Sequence, residues 1–214
     1  MKIVAISDIH GKWNKISIPE CDLLISCGDY SFRGESHMVK DFHKWLNKQP
    51  ATHIISVQGN HELQVQHNFN LSKQIAQEKC PRVHFIEEGL VEIENKKIWC
   101  SAWTPWFYDW AYNARRGEEI KRHWDLIPQD VDVLITHGPP AGILDTVVGR
   151  EYDHLGCLDL MDKINQLLNL KYHFFGHIHS GHGTMNLNGK NFFNVSICDE
   201  QYAATNPVTE VEIA

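Results

Sequence analysis

Five β-rich runs in this chain end the same way: an apolar stretch of strand length breaks into a short loop of glycine, carboxylate, amide and imidazole. The loops are Asp8-Ile9-His10-Gly11, Gly28-Asp29, Gly59-Asn60-His61-Glu62, His137-Gly138 and Gly176-His177-Ile178-His179. Short apolar runs bounded by such residues read as strands. The ends of strands in an open α/β sheet are where ligand-binding groups gather. The neighbouring glycines let the backbone turn sharply or approach a ligand closely.

The segments between the motifs complete an α/β pattern. Residues 3–7, 22–27 and 53–57 are β-rich, and between the last two lies a helical stretch, 35–48. It carries Met38, Val39, Phe42, Trp45 and Leu46 on one face. A second helix is expected at 71–79, followed by strands at 83–86, 90–93 and 97–102, with Asn95-Lys96 at a turn. Residues 113–124 and 156–169 read as helices, and 131–136 and 172–175 as strands. Asn188-Gly189 between 183–187 and 191–195 is a hairpin signal, and 208–213 is expected as a last strand. There is no repeat, linker or low-complexity stretch, so the expectation is a single α/β domain over 1–214.

Composition narrows the function. A chain with 43% hydrophobic and 22% charged residues is ordinary globular protein. Its formal charge of -7 has the wrong sign for holding long nucleic acid by phosphate neutralisation. Fourteen histidines point to metal or proton chemistry. The six cysteines form no Cys-x-x-Cys pair and most lie in apolar runs, which predicts reduced thiols. The opening Met1-Lys2-Ile3-Val4-Ala5-Ile6 is too short and too quickly polar for a signal peptide or membrane span, and the expectation is cytoplasmic.

Within the motifs, residues two apart in an extended segment face the same way. Asp8 with His10, and His177 with His179, therefore each present two side chains together. Asp8, Asp29, Asn60 and the histidines 10, 137, 177 and 179 make seven mixed oxygen and nitrogen ligands. That exceeds one tetrahedral zinc and suits two metals sharing a carboxylate.

The order Asp-x-His, Gly-Asp, Gly-Asn-His-Glu, His, Gly-His-x-His resembles the calcineurin-like metallophosphoesterase superfamily. The segments Thr104-Pro105-Trp106-Phe107-Tyr108-Asp109-Trp110, Arg116-Gly117 and Thr136-His137-Gly138-Pro139-Pro140 add a likeness to its metallophosphoesterase-domain-containing subfamily. The resemblance implies a four-layer αββα sandwich. It implies one metal on Asp8, His10, Asp29 and His179, and a second on Asp29, Asn60, His137 and His177, with Asp29 and a hydroxide bridging. The expected cofactors are two divalent transition metal ions, manganese foremost, with iron, zinc, cobalt or nickel also suited to this donor set. His61 takes the role of proton donor to the leaving oxygen, and Arg33 matches a phosphate-binding position.

The expected substrate is a small phosphodiester, a cyclic nucleotide foremost, with no long nucleic acid or membrane as partner. The alternatives are a phosphomonoesterase on nucleotides or phosphoproteins, and a non-catalytic interaction module on the same fold. Phe32 stands where protein Ser/Thr phosphatases carry the Asp that orients this histidine, which leaves the orientation of His61 open. The same Phe32 occupies the position of a metal-ligating Tyr in purple acid phosphatases. A further open feature is the aromatic run from Trp99 to Tyr112. It fits core packing beneath a covering loop, a stacking wall for a nucleobase, or a dimer contact.

Overall fold

Alternating side chains divide the apolar residues of each strand between two layers. In β1 (Lys2–Ile6), Ile3 and Ala5 face one apolar layer while Val4 and Ile6 face another. The computed structural model describes residues 1–149 and 153–213. In these, β1 is joined by β2 (Cys21–Ser26), β3 (Ala51–Val57) and β4 (Val83–Ile86), all parallel. A late strand, Thr209–Glu212, closes the other edge antiparallel to β1.

The second sheet builds on the same alternation. Its strands are β5 (Glu88–Ile93), β6 (Lys96–Ser101), β9 (Val133–Thr136), β10 (Tyr172–Phe175), β11 (Gly183–Leu187) and β12 (Lys190–Asn194). They lie in the order β11-β12-β10-β9-β6-β5. The inner four are parallel, and β5 and β11 pair antiparallel at the edges. The remaining numbers belong to a two-stranded ribbon, β7 (Thr104–Pro105) with β8 (Asn113–Ala114).

Three apolar layers hold four layers of structure. Ile25, Ile55, Ile98, Ile135, Phe174 and Phe193 fill the space between the sheets. The helices α1 (Ser36–Leu46) and α3 (Phe69–Lys79) cover the first sheet through Val39, Phe42, Leu46 and Ala76. The helices α4 (Glu118–Asp125) and α5 (Leu158–Gln166) cover the second through Ile120, Trp124, Leu160 and Ile164. This is the expected αββα sandwich.

The two sheets touch along one seam. Ser7 bridges to Ser196 in parallel, its N–H donating to Val195 O at 2.9 Å and its carbonyl accepting from Ile197 N–H at 2.8 Å. The seam sets the carboxyl ends of the parallel strands of both sheets side by side.

Three local expectations are corrected. The helix read at 113–124 begins only at Glu118, because the Asn113 side chain donates to Thr104 Oγ1 and Ala111 O and holds a turn instead. The β5–β6 turn falls on Glu94-Asn95, both at positive φ (48° and 61°), which matches the right-handed twist of a tight hairpin. A short helix α2 (Leu63–His67) follows the Gly59 motif where no element was read. All six cysteines are buried and unpaired, as expected of reduced thiols.

Candidate metal centre

Every motif residue sits just beyond a strand end. Asp8 and His10 follow β1, Asp29 follows β2, Asn60 and His61 follow β3, His137 follows β9, and His177 and His179 follow β10. Asp8, His10, Asp29 and His177 all hold left-handed φ, from 45° to 69°. Non-glycine residues avoid that region, and where it recurs the surrounding structure over-determines it. Two glycines make room for the carboxylates: a Cβ on Gly59 would lie 2.3 Å from Asp29 Oδ1, and one on Gly176 would lie 2.1 Å from Asp8 Oδ2.

Three groups of side chains each bring ligand atoms within 4.8 Å of one another, close enough to hold an ion. They are Asp8, His10, His179; His10, Asp29, His61; and Asp29, His137, His177. Each carboxylate has one oxygen committed to the protein. Asp8 Oδ2 accepts from His177 N–H at 2.8 Å and Ser196 Oγ at 2.9 Å, while Oδ1 has no donor and faces His179 Nε2 at 3.4 Å. Asp29 Oδ1 accepts from His61 N–H at 2.8 Å, leaving Oδ2 3.2 Å from His137 Nε2.

The imidazoles are aimed in the same manner. His137 Nδ1 donates to Cys27 O at 2.8 Å and His179 Nδ1 to Asp199 O at 2.9 Å, which turns both Nε2 atoms inward. Second partners of this kind fix the ring orientation of metal-binding histidines. His10 Nε2 and His179 Nε2 lie 3.3 Å apart, and Asn60 Oδ1 is 2.8 Å from both His137 Nε2 and His177 Nδ1. Nitrogen and oxygen atoms converging from opposite sides on one small space fit divalent ions.

Electrostatics favours a cation here. Burial opposes charge on His137 and His179, yet Asp29 beside the first and Asp8 beside the second push both up to about 9. Burial pulls His10 and His177 down to about 4. Burial resists ionisation of the two aspartates as well, and the facing histidines still hold both well below the usual carboxylate range. A divalent ion would take the place of the protons that His137 and His179 hold beside these carboxylates.

His61 is oriented by a main-chain atom. Its Nδ1 donates to Phe32 O at 3.0 Å, and its ring packs on Trp110 with centroids 4.4 Å apart. Phe32 offers no side-chain acceptor, and its main-chain carbonyl is the atom that His61 Nδ1 meets. Nε2 then points toward Asp29 Oδ2, 4.0 Å away. Arg33 is exposed and stands outside the lining of the cavity, whereas Arg116 lines it, donating to the Leu155 and Gly156 carbonyls at 2.7 Å.

Two further residues join the site. Tyr202 sets its ring edge-on to His10 and His179, at 4.7 and 5.4 Å. Glu62, fully buried, accepts from Asp29 N–H, Gly59 N–H, Ser31 N–H and Ser31 Oγ, tying the two loops together. Burial and the nearby Asp29 push its carboxyl up to about 8. Glu62→Ala would strand three buried N–H donors. It should cost about 3 kcal/mol, read as a lower urea midpoint, since each unsatisfied buried donor costs roughly 1–3 kcal/mol before water and relaxation repay part of it. An unchanged midpoint would show that water replaces the carboxylate freely.

A cavity of about 340 Å³ opens over Asp29, Asn60, His61, His177 and His179. Trp106, Phe107, Trp110 and Tyr202 are among the side chains that line it. That is room for a small ligand. No helix among the described residues is long and apolar enough to cross a membrane.

Comparison with known proteins agrees with this geometry. Metallophosphoesterase domain-containing protein 1 of Homo sapiens is 33% identical over 231 residues, covering 99% of this chain and 71% of that protein. A UPF0046 protein of Caenorhabditis elegans is 30% identical over 226 residues, covering 94% of this chain and 57% of its own. In fold, the chain is similar to the crystal structure of Phosphopantetheinyl Hydrolase (PptH) from Mycobacterium tuberculosis. The TM-score is 0.62 at 16% identity, over 94% of this chain and 90% of that one. The family model described as Calcineurin-like phosphoesterase matches residues 1–181, a span that contains all five motifs. The chain belongs to the calcineurin-like phosphoesterase family and is a metal-binding phosphoesterase of that fold.

Proposed function

We propose that this chain is a two-metal phosphodiesterase acting on small substrates, cyclic nucleotides foremost. The observation that carries the reading is Asp29. It belongs to two of the three converging groups, one with His10 and His61 and one with His137 and His177. In this reading Asp8, His10, Asp29 and His179 hold one ion, and Asp29, Asn60, His137 and His177 the other. Divalent ions held there, manganese foremost, would supply a nucleophile at neutral pH and positive charge for a phosphoryl transition state.

The chain's own residues do the rest. In this reading His61, its Nδ1 committed to Phe32 O, is the proton donor to the departing oxygen through Nε2. Trp110 on its face keeps the imidazole from turning away. The cavity of about 340 Å³ admits a nucleotide-sized diester, and a net charge of -7 disfavours long nucleic acid, which binds by phosphate neutralisation. We place the protein in the cytoplasm, on its reduced, buried cysteines.

The test is a substrate panel with manganese-loaded protein: 2′,3′- and 3′,5′-cyclic nucleotides, linear diesters, nucleoside monophosphates, a phosphopeptide and long duplex DNA. A cyclic nucleotide should exceed the monoesters and duplex DNA by at least about tenfold in kcat/KM, a difference of about 1.4 kcal/mol. A faster monoester would make the protein a phosphomonoesterase. Absence of turnover with manganese, iron, zinc, cobalt and nickel would leave an interaction module on this fold.

A further inference from the structure

Large aromatic side chains are seldom left in water beside a cavity without a use. Trp106 is 57% exposed and Phe107 55%, yet both line the cavity that holds Asp29 and His61. The segment carrying them is well anchored. Trp106 N–H donates to Ala114 O at 2.8 Å and Phe107 N–H to Asn113 Oδ1 at 2.9 Å, and Tyr108 buttresses the Phe107 ring edge-on at 4.6 Å. The same segment continues to Trp110, which packs on His61. The two cavity-lining rings are thereby carried on the same segment as the ring packed on His61.

The aromatic run thus divides. Trp99 and Tyr112 are core, Trp110 covers His61, and Trp106 and Phe107 face open space over the cavity. We infer that Trp106 and Phe107 form a stacking subsite for the nucleobase of a nucleotide whose phosphate lies at Asp29. The inference rests on the phosphodiesterase reading above and adds where the base goes. An aromatic face binds any base through its π-surface, so the subsite selects for a base over none and hardly among bases.

The experiment compares 2′,3′-cyclic AMP with 1-O-methylribose 2,3-cyclic phosphate, which keeps the ring-strained diester and both leaving oxygens but lacks the base. The parent protein should prefer the nucleotide. In Trp106→Ala and Phe107→Ala the ratio of the two kcat/KM values should fall by about 10-fold or more for the stronger contact. Stacking is worth roughly 1–3 kcal/mol per base, and each 1.4 kcal/mol is tenfold. Trp106→Phe should restore most of the ratio. A proportional loss on both substrates, or no change, overturns the subsite. So does a shift from dimer to monomer in light scattering with the ratio unchanged, which would give the rings to a second copy of the chain.

If the parent protein hydrolyses neither compound, the 3′,5′-cyclic and linear diesters of the panel above decide the phosphodiesterase reading on their own. The subsite is then judged by calorimetric binding of AMP against ribose 5-phosphate to manganese-loaded protein. Tighter binding of AMP that is lost in Trp106→Ala supports it, and equal affinities overturn it.

Discussion

Asp29→Asn should reduce turnover of any substrate by more than about 10³-fold and leave the dialysed protein with fewer than two bound metals per chain. The substitution keeps size and the backbone bonds that place the loop, since Asp29 N–H still reaches Glu62 and an amide oxygen still accepts from His61 N–H. What changes is the atom at Oδ2, 3.2 Å from His137 Nε2, and the loss of the one negative charge shared by two ligand groups. A thousandfold corresponds to about 4 kcal/mol, within the several kcal/mol a metal's charge contributes to a phosphoryl transition state. Asp8→Asn lies in one group only and should cost one metal first. Metal content by plasma emission, with rates before and after chelation and reloading, measures both. Two metals retained in Asp29→Asn with rates within tenfold would remove Asp29 as the shared ligand.

What the sequence made legible followed from side-chain chemistry in regular backbone. The strand runs ending in Asp, Asn and His were readable because period-two burial and glycine punctuation survive folding. Ile3 against Val4, and Phe174 against Phe175, fall in separate apolar layers as alternation requires. What escaped depends on contacts between distant loops. The acceptor for His61 is the Phe32 carbonyl, and a main-chain oxygen has no signature in residue type.

Glu62 stood inside a recognised motif, but its task is visible only once residues 28–31 fold over 59–62. Tyr202 arrives from well beyond the last motif, carried in with the segment that follows the Ser7–Ser196 seam. The helix read at 113–124 extended the apolar spacing of Ile120 and Trp124 back into a turn that Asn113 holds by side-chain bonds. Local propensity gave way there to a specific polar network.

His61→Asn should cripple hydrolysis of a cyclic nucleotide by about 10²–10⁴-fold, the usual worth of a positioned proton donor, while largely sparing a nitrophenyl phosphodiester. A sugar alkoxide is strongly basic and departs slowly unless protonated, whereas nitrophenolate is stable near neutral pH without help. The geometry also allows a rival role, because His61 converges with His10 and Asp29 closely enough to hold an ion itself. The two roles predict different patterns. A lost ligand lowers metal content and depresses both substrates alike; a lost proton donor leaves the metals bound and separates the substrates by leaving group. Trp110→Ala extends the test, since it keeps the imidazole but removes the ring packed 4.4 Å from it. It should lower kcat for the cyclic nucleotide more than for the nitrophenyl ester, because a less well-held donor matters only where a proton is needed. Equal losses on the two leaving groups in His61→Asn, with metal content reduced, would assign His61 to the ions and leave the leaving oxygen without a protein acid.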